Sequence, residues 1–297
     1  MAGQGDGAEH PRESFDRSAH IYDDHVAFNH AGAQRLIGAL PDRPYGVVLD
    51  VACGTGFATM QLIARRGAAS VIGIDASAGM LEQFRAKLDR YPEIHASLRV
   101  ADVLDMGVAP GSVDLVLCTM ALHWFDDRRA AMIEMAKTLR PGGVLGLLGP
   151  GPGHDAEFVA LSRASNPPIL PELADSIVSN EIYPEEMRGH LAAAGLEELD
   201  IWVEARERRL PADRYLDRMR AVGSHLWAHR TPEDRDRQLA RAEGALRAAS
   251  PDGTFVYTFT KLLVIARAPS ARANCRSRSS AVRCAHRWDP TARMRSR

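Results

Sequence analysis

The chain has 297 residues, 45% hydrophobic and 25% charged, with a formal net charge of −1; that suits one large globular domain with a full core, or one domain carrying insertions. Eight Arg against one Asp lie between residues 271 and 297, so the rest of the chain carries about eight net negative charges, which excludes the broad basic face of a nucleic-acid-binding protein. No apolar run approaches the roughly 18 residues of a membrane span, and residues 1–14 hold no apolar signal core, so neither insertion nor export is expected.

Residues 1–13 are polar and glycine-rich and read as disordered. Phe15 to His25 leads into a helix ending at Leu40, where Ala33, Leu36, Ile37 and Leu40 recur at helical spacing; Pro41 and Pro44 stop it. Strand and helix then alternate. Strand 47–51 precedes a helix at 56–65, and strand 71–74 precedes a helix at 78–88 with Ser77 as N-cap and Leu81, Phe84 and Leu88 facing inward. Strands at 98–100 and 113–118 follow, then a helix at 127–139 that Pro141-Gly142-Gly143 stops before strand 144–148. Such alternation predicts a parallel sheet with right-handed crossovers. Residues 149–171 read as a connection with one helical piece, followed by a helix at 184–194, a strand at 199–204, helices at 213–227 and 233–249, and a last strand at 254–266. The Arg- and Ser-rich stretch 270–297 reads as a disordered basic tail out of keeping with the body. Cys53, Cys118, Cys275 and Cys284 form no CxxC pair, and His225, His229 and His286 add no metal set; a reduced, cytoplasmic setting without metal is expected.

The chemistry gathers on Val47-Val48-Leu49-Asp50-Val51-Ala52-Cys53-Gly54-Thr55-Gly56. Gly54 and Gly56 let the backbone turn tightly and approach a ligand, and the next helix offers its positive N-terminal end. Asp75, at the end of the following strand, is placed to accept hydrogen bonds from ribose hydroxyls. A dinucleotide fingerprint needs a third glycine, and Thr59 stands there instead. Asp50, at the tip of the first strand, would repel a pyrophosphate and attract an ammonium group.

Leu49-Asp50-Val51-Ala52-Cys53-Gly54-Thr55-Gly56 resembles the first motif of class I S-adenosylmethionine-dependent methyltransferases. Gly73 to Leu81, Ala101-Asp102-Val103, Val113 to Val116 with Ala121-Leu122-His123-Trp124, and Leu139 to Gly143 resemble the later motifs in order. A narrower likeness, over residues 14–267, is to the malonyl-[acyl-carrier protein] O-methyltransferases of biotin synthesis. It rests on Phe15-x-x-x-Ala19-x-x-Tyr22-Asp23, Leu122-His123-Trp124, Leu148 to Gly151, Met219 to Ser224 and Tyr257 to Arg267. The resemblance implies a Rossmann-like, doubly wound α/β fold whose seven-stranded sheet is mostly parallel with an antiparallel last strand. It also implies a helical cover formed by the N-terminal helix and an insertion at 212–249, within a methyltransferase domain at 14–269. The cofactor is then S-adenosyl-L-methionine, held by Tyr22, Asp50, Ala52, Gly54, Thr55, Gly56, Asp75, Ala76, Met80, Asp102, Val103 and Thr119. Ala52 departs from the family's usual glycine and adds a methyl group that would crowd the methionine moiety.

His123 and Tyr22 are the candidate catalytic residues; His123, Trp124 and Arg220 are the candidate acceptor contacts. Each has a plainer reading: a loop histidine in a pocket wall, a tyrosine packed at a helix start, a packing tryptophan, a solvated helix arginine. The expected reaction is O-methylation of a small or carrier-bound carboxylic acid, with a small molecule or an acyl-carrier protein as partner. The alternative is O-, N- or C-methylation of a natural product. A homodimer stays open, and a silent binding module that keeps the fold is a third reading. A carboxylate acceptor needs no general base; a phenol, an amine or an acidic carbon benefits from one, usually histidine.

Overall fold

The computed structural model describes residues 15–16, 19–23, 30–223, 226 and 230–270. Both expected disordered ends, with Cys275, Cys284 and His286, lie outside the described residues, as do His225 and His229. One seven-stranded sheet runs in the order β3-β2-β1-β4-β5-β7-β6. Its strands are β1 Val47–Val51, β2 Ser70–Asp75, β3 His95–Val100, β4 Val113–Thr119, β5 Leu139–Pro150, β6 Glu197–Pro211 and β7 Thr254–Arg267. β1 to β5 pair in parallel, while β7 is antiparallel to both β5 and β6. β1 reads Val-Val-Leu-Asp-Val and is buried from Val48 onward, as a central parallel strand covered on both faces must be.

The helices are α1 His30–Ala39, α2 Phe57–Arg66, α3 Ala78–Leu88, α4 Arg128–Thr138, α5 Ala156–Ala164, α6 Pro171–Asn180, α7 Pro184–Ala193, α8 Ala212–Gly223 and α9 Pro232–Ala248. On one face, Leu36 and Ile37 of α1 and Leu62 of α2 pack on Val48, Leu115, Leu117 and Leu263. On the other, Met132 and Met135 of α4 and Met187 and Leu191 of α7 pack on Leu49, Val116, Leu145 and Val264. The strand alternation sends neighbouring residues to opposite layers. α3 begins where expected: the Ser77 hydroxyl accepts from Met80 N at 3.1 Å, and Leu81, Phe84 and Leu88 are buried.

The structure departs from the sequence reading most in three places. β5 runs from Leu139 to Pro150 rather than over 144–148, so Pro141-Gly142-Gly143 lies inside the strand instead of ahead of it. α6 is not anticipated. Proline-initiated and flanked by prolines, it buries only Leu173 and Ala174 and so carries too few apolar residues to show a period. β6 spans 15 residues rather than the six expected, because its Arg- and Glu-rich second half is drawn into register by β7 as far as Pro211↔Thr254. β5 pairs only with residues 261–267 of β7. The β6–β7 ribbon therefore overhangs the sheet by residues 205–211 and 254–260, about 20 Å of strand. α5, α6, α8 and α9 pack on the overhang around Phe158, Leu173, Tyr215, Leu246, Phe255 and Tyr257, making a cap with its own core.

Candidate functional site

The site is built at the carboxyl ends of β1, β2 and β4. After Val51 the backbone passes through left-handed conformations at Ala52 (φ 50°), Gly54 (φ 54°) and Gly56 (φ 76°). The two glycines serve different ends. A Cβ on Gly54 would meet nothing within 4 Å, leaving its backbone open to a ligand. A Cβ on Gly56 would stand 2.0 Å from the Phe84 ring, so that glycine lets α2 and α3 close on each other. Gly54 N and Ser77 N donate to the two oxygens of Asp75 at 2.8 and 2.9 Å, which ties the turn to the end of β2. Burial raises the Asp75 pKa against the pull of those backbone bonds.

These elements surround a cavity of about 490 Å³. Among the expected cofactor residues, Ala52, Gly54, Thr55, Asp75 and Ala76 line it along the turn and β2. Met80, Asp102, Val103 and Thr119 line it along α3 and the ends of β3 and β4, and Tyr22 and Trp124 close it from above. Burial, then Asp75 and Asp23, pushes the Tyr22 hydroxyl up to about 12, so it stays a hydrogen-bond donor.

Four expected site residues fall outside the lining. Gly56 serves packing, as above. Asp50 shares a strand face with Val48 and is turned under α2, fully buried; Thr59 Oγ1 donates to its Oδ2 at 2.6 Å, and its Oδ1 has no partner among the described residues. Burial raises its pKa to about 7 despite the Thr59 bond. His123 sits in a 3-10 turn, Leu122–Trp124, its ring 5.0 Å from that of Trp124. Its Nδ1 is buried without a partner among the described residues, and burial, followed by Arg128 and His154, pushes its pKa down to about 3. Arg220 is 43% exposed on α8 and pairs with Asp217 at 3.0 Å. The α8 and α9 residues described contribute nothing to the cavity lining; they cover the ribbon instead.

The N-terminal segment is clasped over the cavity. Asp16 Oδ1 accepts from Ser77 Oγ at 2.6 Å and Gly79 N at 3.1 Å. Asp23 accepts from Thr55 Oγ1 and from Lys87 Nζ, each at 2.5 Å, and Lys87 also donates to Thr55 O. Phe15 meets Tyr22 and Trp124 edge-on at 6.1 and 5.9 Å. His30, Ala33 and Leu148 complete the wall. Phe15 and Asp23 belong to the Phe-x-x-x-Ala-x-x-Tyr-Asp pattern. His30 carries no such signal, because the first residue of a helix has no fixed partner in sequence.

A second polar cluster joins the cap to the sheet. Asp155 is 1% exposed and receives Arg218 through both guanidinium nitrogens at 3.1 and 2.9 Å, with Tyr215 O–H at 3.2 Å. His154 lies 3.3 Å from the same carboxylate, its Nδ1 2.8 Å from Thr260 O. Among the described residues no His, Cys, Asp and Glu cluster could hold a metal ion, and no helix is long and apolar enough to cross a membrane.

Residues 48–143 match the family model of a methyltransferase domain. The chain is 30% identical over 245 residues to the trans-aconitate 2-methyltransferase of Methylobacterium nodulans, covering 79% of this chain and 92% of that protein. It belongs to the class I S-adenosylmethionine-dependent methyltransferases, and S-adenosyl-L-methionine is its cofactor. It is also 32% identical over 179 residues to the malonyl-[acyl-carrier protein] O-methyltransferase of Xylella fastidiosa, a match covering 57% of this chain and 60% of that protein's length. A putative methyltransferase of Bacillus halodurans shares the fold at a TM-score of 0.57 and 17% identity, covering 81% of this chain and all of the other. The cavity fits the cofactor: Gly54 leaves open space, and Asp75 offers carboxylate lone pairs beyond its two backbone bonds.

Proposed function

We propose that this methyltransferase esterifies a carboxylate of a small acid, free or carried on a thioester. Bound S-adenosylmethionine supplies a methyl group on a positively charged sulfur. In this reading Gly54 and Thr55 face the methionine end, Asp75 accepts from the ribose hydroxyls, and Asp102 contacts the adenine between Met80 and Val103. Ala76, Ala52 and Thr119 complete the wall. The Tyr22 hydroxyl donates toward the bound molecules, and Phe15, Trp124 and Leu148 exclude water. A carboxylate attacking a sulfonium methyl neutralises charge, so a dry wall favours the reaction and alignment supplies much of the rate.

The observation that carries this reading is the withdrawal of His123. It is the histidine expected at the acceptor side, yet it lies outside the cavity lining and is held neutral by burial. Chemistry that needs no base fits a site built this way. The two relatives named above act, by their names, on trans-aconitate and on a malonyl group, both of them acids.

The test is to incubate the protein with methyl-labelled cofactor and either trans-aconitate or malonyl-acyl-carrier protein. Label released by mild base, as a methyl ester releases it, is the expected result; base-stable label would overturn the reading. His123→Gln should keep turnover within about threefold, whereas loss of a general base costs about a hundredfold or more. A second reading draws on His30, which lines the cavity with a buried, unpartnered Nε2 among the described residues. There it would take a proton from a hydroxyl, amine or acidic carbon of a natural product, and the label would be base-stable.

A further inference from the structure

Two carboxyl groups leave the ends of neighbouring parallel strands beneath the donor turn. Asp50 of β1 stands opposite Gly73 of β2, and Asp75 closes β2 two residues further on. Asp75 is met by the backbone N–H groups of Gly54 and Ser77. Asp50 is 0% exposed and has only the Thr59 hydroxyl on Oδ2, with Oδ1 unpartnered among the described residues. The groups that act on it are Thr59 from α2, Asp75 from β2, Cys53 from the turn and Cys118 from β4. None of these is a cation.

A carboxylate out of water with one neutral donor is costly as an ion, so this packing favours the protonated acid. Burial pushes Asp50 up to about 7, with the Thr59 bond opposing and Asp75 pushing the same way. Burial also raises both thiols, which therefore stay neutral and leave the carboxyl as the group that titrates. The backbone that follows it is the cavity floor: Val51, Ala52, Cys53 and Gly54 all line the site. S-adenosylmethionine brings an ammonium and a sulfonium to that floor. S-adenosylhomocysteine brings the ammonium alone, and methylthioadenosine brings neither.

We propose that Asp50 is a charge sensor beneath the donor turn: it gives its proton up to solvent when S-adenosylmethionine binds, so that the enzyme prefers the donor over the demethylated product increasingly as pH rises. The proposal rests on the cofactor alone and holds for any acceptor. Linkage is reciprocal. If the bound donor lowers Asp50 by one pH unit, ionising Asp50 tightens the donor about tenfold. Below pH 7 binding has to expel the proton and is weaker; above it the carboxylate is already ionised and affinity levels off.

The experiment is a calorimetric titration of the full chain with S-adenosylmethionine, S-adenosylhomocysteine and methylthioadenosine at pH 6, 7 and 8. Repeating each in two buffers of different ionisation enthalpy counts the protons released. Donor affinity should rise about fivefold from pH 6 to pH 8, with about 0.4 proton released at pH 7 and almost none at pH 8. S-adenosylhomocysteine should rise by less than about twofold, and methylthioadenosine should not change. Asp50→Asn, its fold verified by melting temperature, should flatten all three. Thr59→Val keeps the carboxyl but removes its one donor, which raises Asp50 further, by about one pH unit. That variant should still release a proton at pH 8, where the wild type has finished. Donor affinity that ignores pH in the wild type, or a rise that survives in folded Asp50→Asn, overturns the proposal. So does a rise as large for either of the other two ligands. Should Asp50→Asn not fold, proton release from Thr59→Val that stays at the wild-type pH overturns it as well.

Discussion

Among the described residues two carboxylates lie wholly inside the protein, and they are treated in opposite ways. Asp155, at the junction of cap and sheet, has both oxygens bound by Arg218, with Tyr215 and His154 around them. Asp50, beneath the methyl-donor turn, has one hydroxyl bond from Thr59 and an oxygen with no partner among the described residues. The first arrangement is closed: every strong acceptor meets a donor, and the result is a joint. The second is open, and its pKa of about 7 records the cost of leaving it so. Polar groups that hold a fold are satisfied, whereas an unsatisfied one beneath a ligand site stores free energy that binding or protonation can release.

The largest expected effect comes from breaking the closed joint. Arg218→Met leaves Asp155 buried without its cation and should destabilise the protein by about 3–5 kcal/mol in urea unfolding. S-adenosylhomocysteine affinity should change little, because no described cap residue lines the cavity. A loss below about 1 kcal/mol would break the contrast.

The next effect is smaller and depends on pH. The folded pKa of Asp50 is raised from 3.8 to about 7, so the folded state holds a proton that the unfolded chain releases. Stability from this group is full below pH 4 and is lost as pH rises through 7. Asp50→Asn keeps the Thr59 acceptor without the charge. It should stabilise the protein on the order of 1 kcal/mol at pH 8 and less at pH 5, read as the difference in melting temperature. A gain that did not grow with pH would show that the carboxylate is not ionising inside the fold.

The smallest effect is at Ala52. Its φ of 50° is a conformation that glycine adopts freely and alanine does not. Ala52→Gly should raise stability by under about 1 kcal/mol and tighten S-adenosylhomocysteine about twofold, through relief of backbone strain as well as of crowding. Weaker binding would show that the methyl group contacts the cofactor favourably.

Much of the donor site was legible because its residues act through backbone position. Gly54 needs φ above zero, Asp75 ends a strand, and Ser77 caps a helix; each is a local requirement that a sequence displays. Asp50 was legible in part: its parity with Val48 already sends it toward the α2 layer, but the motif had suggested the ligand. The cavity wall opposite the turn was much less visible. His30 and Ala33 come from α1 and Leu148 from β5, distant segments that meet only when α1 packs across the sheet. The length of β6 was hidden for a related reason, since a charged edge strand takes its conformation from its partner rather than from its own residues.

The overhanging β6–β7 ribbon has a consequence for how the molecule opens. A two-stranded ribbon is marginal in water by itself, so its outer half and the cap helices depend on each other. They should therefore come apart together, as one cooperative unit, while the sheet keeps its seven strands. In hydrogen exchange, amides of residues 205–211 and 254–260 would share one opening free energy with α8 and α9, distinct from that of β1 and β4. The molecule then has two separate latches. The Asp16 and Asp23 clasp holds the N-terminal residues to the cavity rim, whereas the described residues of the ribbon unit line no part of that cavity, so one can open without the other.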